Sequence, residues 1–530
     1  MKRASIGAIG VAAILAVASP AAAQAQPKQP APPGKPKVLI TISKETTYIT
    51  EPLRADGYVD YVAALNQFAS KGVTPENNAA VPFLKALGPA DIPKDQRETY
   101  FKMLGMTPLP EKGDYYVTLF KYARELKPAE TPALRPGEFD TLCNQQDQTM
   151  TRPWSQREFP VLAGWLAANE KPLALLVEAS KRPRRYDPLV SSDGYLLSTF
   201  PSILTKYREA ARGLTARAML RADEGKLDEA WQDLLACHRL APLVGQGRGL
   251  IDLLIGTSVE GMTCRADQGL LQRAQLTAAQ ALKMRDDLAS LPPLPKVADT
   301  IDPVERFGYL DGVRLVAHKG FGIMDTVQLG GGLPREPSPS LDSVRAIVEW
   351  DQVLRMGNAW YDRLAQAYRK PSRAERQVAM RQIDDDAREL FAEVKSQKSL
   401  AIALAAGSQK DVSRQAGQAL VSFFLPAFSA CARAEGRATM QFELTKLGFA
   451  LAAYRADHDS YPVKLAELVP KYAPEIPKDL FSDADLHYKH EGEGCLLYSV
   501  GLNGKDEGGK GADDCKKDEG WDDISIRMGK

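Results

Sequence analysis

Apolar residues recur at helical spacing along most of the chain. Tyr58, Val62, Leu65 and Phe68 stand three or four positions apart, which places them on one face of a helix. Between residues 155 and 272 the same period continues almost without interruption. The C-terminal part changes to short apolar runs separated by glycine and proline. This pattern predicts a mainly α protein, with a multi-helix body and a small α+β C-terminal domain.

The first predicted unit spans residues 38–127 and is a helical module with one short strand. The run VLITIS at 38–43 is apolar and β-branched, which predicts the strand. Thr74 followed by Pro75 gives the order of N-cap and proline with which helices begin. The proline-rich segment 128–153 predicts irregular chain. The helical body follows at residues 155–400.

Residues 214–240 predict two amphipathic helices that meet at Gly225. Small residues on the facing sides would let the two helices approach closely, and the segment resembles a single tetratricopeptide hairpin. Such repeats bind peptides only when about three or more are stacked. A plain helical hairpin within a larger bundle is therefore favoured over a peptide-binding groove.

The chain begins with a segment typical of export. Lys2 and Arg3 precede an apolar run at 6–18 and an alanine-rich stretch, which predicts a cleavable signal peptide at 1–25. The apolar run is too short to span a bilayer comfortably, so no membrane span is expected after cleavage. A Pro- and Gln-rich linker follows at 26–37. These features predict a periplasmic or extracellular location.

The net charge and the cysteine content bear on which partners and which disulfide bridges can be expected. The 530 residues carry a net charge of +1, which gives no global argument for nucleic acid or an anionic membrane. In an exported protein the six cysteines could pair. Cys495 with Cys515 is the first candidate bridge, and Cys237 with Cys264 is the second, although connectivity cannot be read from sequence.

The sequence contains no established catalytic pattern. The five histidines do not have the HExxH spacing that places two imidazoles on one helical face. His487 and His490 are three apart on a predicted strand, so they would face opposite sides and make a poor metal pair. No GxSxG elbow is present either. An enzymatic activity is therefore not predicted, and no catalytic residues or organic cofactors are assigned.

Two stretches resemble known families. The segments TTYITEPLRADGYVDYVAALNQ, GVTPENNAAVPFLKALGP and GDYYVTLFKY resemble the opening module of a family of exported proteins of planctomycete-type bacteria without an assigned activity. Residues 436–530 predict one helix that ends at Tyr461-Pro462, followed by short strands near 486–488 and 496–500. This order resembles the globular domain of the major pseudopilin of type II secretion systems. The matching residues are Tyr461-Pro462, Ile476-Pro477-Lys478-Asp479, the run 497–504 (LYSVGLNG) and Asp522-Asp523-Ile524.

The second resemblance implies a calcium site. Val500 stands at the backbone-carbonyl position, and Asn503, Asp522 and Asp523 stand at the side-chain ligand positions. Oxygen ligands of these types suit a hard cation. Asn503 replaces an aspartate of the family. The longer loop carries further acids, any of which could substitute: Asp506, Glu507, Asp513, Asp514, Asp518 and Glu519. The alternative is an acidic tail that binds no ion. A filament of the pseudopilin kind is not expected, because the required uninterrupted apolar helix is missing from the sequence.

These observations favour an exported, non-enzymatic structural or binding protein of the cell envelope, with an unidentified envelope protein as partner. The alternative is an exported hydrolase whose site assembles from distant acidic residues of the helical body, because catalytic groups need to be close only in space. A cleft with converging carboxylates would favour the hydrolase.

Overall fold

The computed structural model describes residues 39–126, 136–199, 203–247, 249–321, 345–396, 408–425, 428–511, 514 and 520–529. The predicted signal peptide at 1–25 and linker at 26–37 lie outside these residues. Within them the chain is mainly helical and has one three-stranded antiparallel sheet. The predicted mainly α fold with a small α+β part is therefore confirmed. No helix in these ranges is both long and apolar enough to cross a membrane.

The helices follow one another with short connections and are numbered here in chain order. Short 3-10 turns lie at Leu196–Thr199 and Leu465–Leu468, and a π-helical turn at Ile301–Glu305 precedes α13. The helices are α1 Tyr61–Ala69, α2 Ala80–Leu87, α3 Arg97–Met103, α4 Leu119–Glu125, α5 Pro136–Thr151, α6 Pro160–Ala168, α7 Glu170–Ser180, α8 Ile203–Asp223, α9 Leu227–Gly245, α10 Leu250–Arg273, α11 Ala278–Ala289, α12 Val297–Thr300, α13 Arg306–Lys319, α14 Trp350–Tyr368, α15 Arg373–Ser396, α16 Gln409–Phe424 and α17 Phe428–His458.

Residues 39–43 do not form the predicted strand. The amide of Leu39 donates to the Tyr58 hydroxyl (2.8 Å), and the amide of Thr41 donates to Asp351 Oδ1 (2.8 Å). Side chains thus take the place of the neighbouring strand that a β-ladder requires. Ile40 is nevertheless buried in the core, which explains why the segment is apolar.

Helix α5 lies in the segment that was predicted to be irregular. Pro136 occupies its first position, where a helix does not need the backbone N–H that proline lacks. Helix α5 packs against α8 and α10. Pro136 therefore marks the start of a helix within this segment.

The predicted hairpin at 214–240 is formed by α8 and α9. Gly225 lies in the turn between them with φ of +75°, a conformation that glycine adopts without strain. Helix α9 also packs against α7, α10 and α11. Because other helices cover the hairpin, it is part of a bundle, as the favoured interpretation of the sequence required.

The buried side chains form two clusters. The first lies among α2–α11, the later part of α17 and the sheet, and the second among α1, α13–α16 and the start of α17. Helix α17 belongs to both, since Phe428 and Cys431 enter the second cluster while Leu444 and Leu451 enter the first. Helix α10 also belongs to both, with Leu253 in the second cluster and Leu270 in the first, so these two long helices connect the halves of the core.

The sheet consists of β1 (His487–Glu491), β2 (Gly494–Ser499) and β3 (Ile524–Met528), paired in that order. The central strand β2 is buried along its whole length, and β3 packs against α10 and α17. Gln268 and Gln272 of α10 donate to the carbonyls of Ser525 and Arg527 (both 3.2 Å). The strands thus join the helical body, while the predicted domain boundary at 436 and the pseudopilin resemblance stay predictions.

Candidate functional site

The residues of the predicted calcium site lie around the turn that follows β2. Asp522 Oδ2 accepts hydrogen bonds from the amides of Leu502 (3.0 Å) and Asn503 (3.2 Å). This approach requires glycine at position 501, where φ is +64° and a Cβ would lie 2.5 Å from Asp522 Oδ1. The Asp522 carboxylate is therefore held against the turn by backbone groups.

Asp523 is the more buried of the two aspartates. It is 2% exposed. Its Oδ2 accepts hydrogen bonds from the backbone amides of Glu507 (3.0 Å) and Gly509 (2.8 Å). Burial raises the pKa of Asp523 to about 6; the Gly509 amide opposes this shift and the Glu507 carboxyl adds to it. Among the described residues, Asp522 Oδ1, Asp523 Oδ1 and Glu507 Oε2 are buried without a hydrogen-bond partner. Acceptor oxygens without donors form the kind of environment that a hard cation satisfies.

Val500 and Asn503 have other contacts in the structure. The Val500 amide donates to Asp479 Oδ2 (2.9 Å), so Asp479 fixes the end of β2. Asn503 Oδ1 accepts the amide of Lys505 (2.6 Å), and its Nδ2 donates to Glu507 Oε1 (2.8 Å). Asn503 thus orients Glu507, whose amide donates to Asp523. The ligand atoms of Asp522, Asp523 and Glu507 do not all lie within 4.8 Å of one another in the described chain.

The cysteine pair on the helices is not formed. Cys237 and Cys264 are both buried free thiols. Cys237 lies 3.7 Å from the Ala211 carbonyl oxygen, whereas Cys264 lies 3.5 Å from Glu260 Oε1. Cys495 is also a buried free thiol, and Cys515, its predicted partner, lies outside the described residues.

A cleft of about 880 Å³ lies between α15, α17 and the segment 288–298. Its apolar lining includes Met380, Phe442 and Phe481. Cavities of this size accommodate small molecules. The cleft is therefore the first place to look for a ligand.

The α15 wall of the cleft carries three guanidinium groups, those of Arg373, Arg376 and Arg381. None of them forms an ion pair with another described residue. Arg373 lies over the Phe481 ring (4.9 Å), and its Nε is buried without a hydrogen-bond partner in the described chain. Burial lowers the pKa of Arg373, with Asp479 and Asp483 opposing the shift. An arginine remains protonated in a protein, so this wall is cationic.

The acids of the cleft wall are already engaged. Glu435 accepts a hydrogen bond from the backbone amide of Val297 (2.7 Å), and Asp384 accepts one from the hydroxyl of Ser429 (2.5 Å). Glu443 pairs with Lys446 (2.8 Å). Arg376 and Arg381 likewise donate to backbone carbonyls, but none of the three arginines has a carboxylate partner among the described residues. A ligand carboxylate or phosphate could therefore supply that partner.

His238 and Glu260 form part of the cleft floor. His238 Nδ1 lies 2.8 Å from Glu260 Oε1, and its Nε2 lies 2.7 Å from Asp267 Oδ2. All three residues are buried, and Cys264 stands beside Glu260 on the same helix. The ligand atoms of His238, Glu260 and Cys264 all lie within 4.8 Å of one another, which is close enough for a shared metal ion.

The carboxylates determine the charge of this cluster. Burial lowers the pKa of His238, but Glu260 and Asp267 outweigh burial and raise it to about 10. Burial raises the pKa of Asp267, and His238 opposes that shift. Burial likewise raises the pKa of the Cys264 thiol. The imidazole is thus cationic between two acids at neutral pH.

Comparisons with protein-family models, curated proteins and solved structures found no match. The function must therefore be inferred from the sites themselves.

The histidine cluster was not predicted from the sequence. Glu260, Cys264 and Asp267 stand at i, i+4 and i+7, a spacing that places them on one face of a helix and that was visible in the sequence. His238 comes from a different helix, so its role depended on how α9 and α10 pack. The HExxH spacing requires two histidines, so it cannot identify a site that contains only one.

Proposed function

We propose that this protein binds a small organic anion in the cleft between α15 and α17. The observation that carries the proposal is the row of guanidinium groups of Arg373, Arg376 and Arg381, which lack carboxylate partners in the described chain. A buried donor without an acceptor costs about 1–3 kcal/mol. A carboxylate or phosphate on the ligand would supply the acceptor that Arg373 Nε lacks.

The rest of the lining supports a ligand that is partly apolar. Phe442, Phe481 and Met380 contribute apolar surface beside the cationic wall. Tyr368, another lining residue, has a buried hydroxyl without a partner among the described residues. An aromatic or aliphatic acid would match both features.

Calorimetry of the full chain with benzoate, phenyl phosphate and neutral benzyl alcohol tests the proposal. We expect the two anions to bind and Arg373→Gln to weaken them by about 10–100-fold, because a hydrogen bond to a charged group is lost. Arg388→Gln is the matched control, since Arg388 lies on the same helix but pairs with Asp385 and is exposed. Equal binding of benzyl alcohol, or unchanged affinity in Arg373→Gln, would contradict the proposal.

Calcium at the C-terminal loop is a second part of the proposal. Its support is the three buried carboxylate oxygens of Asp522, Asp523 and Glu507 that lack donors in the described chain. Calcium modules outside the cell bind with dissociation constants of about 0.1–1 mM. An ion there would order the loop that connects β2 to β3.

Titration of the full chain with Ca²⁺ should give one saturable site that Asp522→Ala/Asp523→Ala removes. Asp485→Ala serves as the control, because Asp485 is an exposed acid paired with Lys478 outside the loop. No heat and no thermal shift in the unaltered protein would refute a calcium site.

An exported location and a protein partner in the envelope belong to the same proposal. The signal-like segment at 1–25 and the pseudopilin resemblance of 436–530 support them. Fractionation of the native cells, followed by co-purification from the envelope fraction, would test both.

A hydrolase is the second candidate function. His238 and Glu260 meet at the floor of the cleft, and proton transfer requires titratable groups within reach of a substrate. Phenyl acetate and phenyl phosphate are suitable probes. Turnover that disappears in His238→Gln would support this candidate, and turnover that persists in that variant would exclude the cluster as its site.

A further inference from the structure

We propose that His238, Glu260 and Cys264 bind a Zn²⁺ ion at the floor of the cleft. Imidazole nitrogen, thiolate sulfur and carboxylate oxygen are the three ligand types that zinc takes from proteins. This site is separate from the calcium loop, whose ligands are all oxygens, and it does not depend on anion binding by the arginines.

The distances fit a tetrahedral ion. Zinc bonds of about 2.0 Å to nitrogen and oxygen and about 2.3 Å to sulfur place ligand atoms about 3.3–3.5 Å apart. Glu260 Oε1 lies 3.5 Å from Cys264 Sγ and 2.8 Å from His238 Nδ1, and no pair of the three ligand atoms exceeds 4.8 Å. Small side-chain rotations would close the set around one ion.

Asp267 provides the support that a metal-bound histidine requires. Its Oδ2 lies 2.7 Å from His238 Nε2, so it can accept the N–H that remains when Nδ1 binds the metal. Carboxylates in this position fix the tautomer and the ring orientation of histidine ligands. Asp267 is a positioning residue and does not touch the ion.

The charge of the buried cluster favours the exchange of protons for metal. Binding of M²⁺ releases one proton from His238 Nδ1 and one from Cys264 Sγ. The two positive charges of the metal ion thus replace those of the two released protons. The net charge of the cluster is therefore unchanged, and the three ligand bonds replace water that the ion loses.

The protein supplies three ligands, which leaves a fourth position. His238 and Glu260 are buried but line the cleft, so a group that reaches the fourth position would enter from the cleft. Zinc sites with three protein ligands and one open position bind water or a substrate group. The expected ligand class at the fourth position is therefore water or a carboxylate oxygen.

Cobalt titration of the metal-free full chain tests the site. Co²⁺ should bind one to one, give the near-ultraviolet absorption of a cobalt–thiolate bond, and be displaced by Zn²⁺. Cys264→Ser should abolish this absorption. Cys237→Ser is the matched control, because Cys237 is equally buried on the facing helix but bonds to Thr215 and the Ala211 carbonyl; it should leave the absorption unchanged.

Asp267→Asn should weaken Co²⁺ binding by about 10–100-fold while the absorption band keeps its position. Circular dichroism of each variant verifies the fold before titration. The proposal is wrong if the unaltered protein shows no thiolate band, or if Cys264→Ser keeps it.

Discussion

Two regions of the molecule bury acidic side chains, and they neutralise them differently. In the helical body, Glu260 and Asp267 face His238 from the opposing helix, with N–O distances of 2.8 and 2.7 Å. In the C-terminal loop, Asp522 and Asp523 are held by backbone amides instead. The first region therefore contains its own cation, whereas the second offers backbone donors. Each leaves carboxylate oxygens without a hydrogen-bond partner in the described chain, Asp267 Oδ1 in the first and Asp522 Oδ1 and Asp523 Oδ1 in the second.

The difference follows from the local architecture. Two packed helices can place a side chain of one directly opposite side chains of the other. A glycine-rich loop offers backbone N–H groups and little else, because its residues have few fixed neighbours. Backbone amides reduce the cost of a buried carboxylate but do not cancel its charge, which is why a cation is proposed for the loop.

The largest expected effect is the loss of the internal cation. His238→Gln would leave Glu260 and Asp267 buried without a positive partner, and we expect the free energy of unfolding to fall by about 3–5 kcal/mol. Urea denaturation with an unchanged m-value would measure this loss. His458→Gln is the control, since His458 is exposed at the end of α17 and should cost less than about 1 kcal/mol. An equal, small loss in both variants would mean that the acids need no cation.

Glu305 offers an intermediate case, because it is partly buried in the helical body and its carboxylate accepts a hydrogen bond from the backbone amide of Leu250 (2.8 Å). Burial raises its pKa to about 7, with the Leu250 amide opposing the shift and Asp252 adding to it. A carboxyl whose pKa is raised on folding stabilises the protein below its unfolded pKa, and this contribution is lost as the pH rises through the folded value.

We therefore expect the unaltered protein to lose about 3 kcal/mol of stability, relative to Glu305→Gln, between pH 4.5 and pH 8. Urea denaturation across this range would measure the difference. Glu493→Gln, at an exposed position, should follow the unaltered protein at every pH. A constant difference between Glu305→Gln and the unaltered protein would show that Glu305 is not buried as a neutral acid.

Much of the fold could be predicted from the sequence because it depends on local pattern. The helical period of the body and the turn at Gly225 are properties of neighbouring residues, and both were found. The strand expected at 38–43 was wrong over the described residues 39–43, because the amides of Leu39 and Thr41 bond to the side chains of Tyr58 and Asp351. Those partners come from other parts of the chain, so no local rule could have identified them.

The residues of the two candidate sites also differ in whether the sequence could group them. Asp522 and Asp523 are adjacent in sequence, so a pattern could identify them together. Glu507 joins them through the path of the loop, and His238 joins Glu260 through the packing of α9 on α10. Sequence can group residues that share one element, but it cannot group residues that only tertiary contacts bring together.

The smallest expected effect concerns the backbone support of the loop. Gly501→Ala would place a Cβ 2.5 Å from Asp522 Oδ1, whereas Gly504→Ala has a similar φ of +68° but nothing within 4 Å of its Cβ. Both variants carry the cost of a left-handed alanine, roughly 1–2 kcal/mol, and only Gly501→Ala also displaces the carboxylate. Hydrogen exchange of the Leu502 and Asn503 amides, which Asp522 accepts, should therefore accelerate about tenfold more in Gly501→Ala than in Gly504→Ala. Equal acceleration would show that the Asp522 carboxylate is not held by this turn, and the contrast between the two regions would then lose its structural basis.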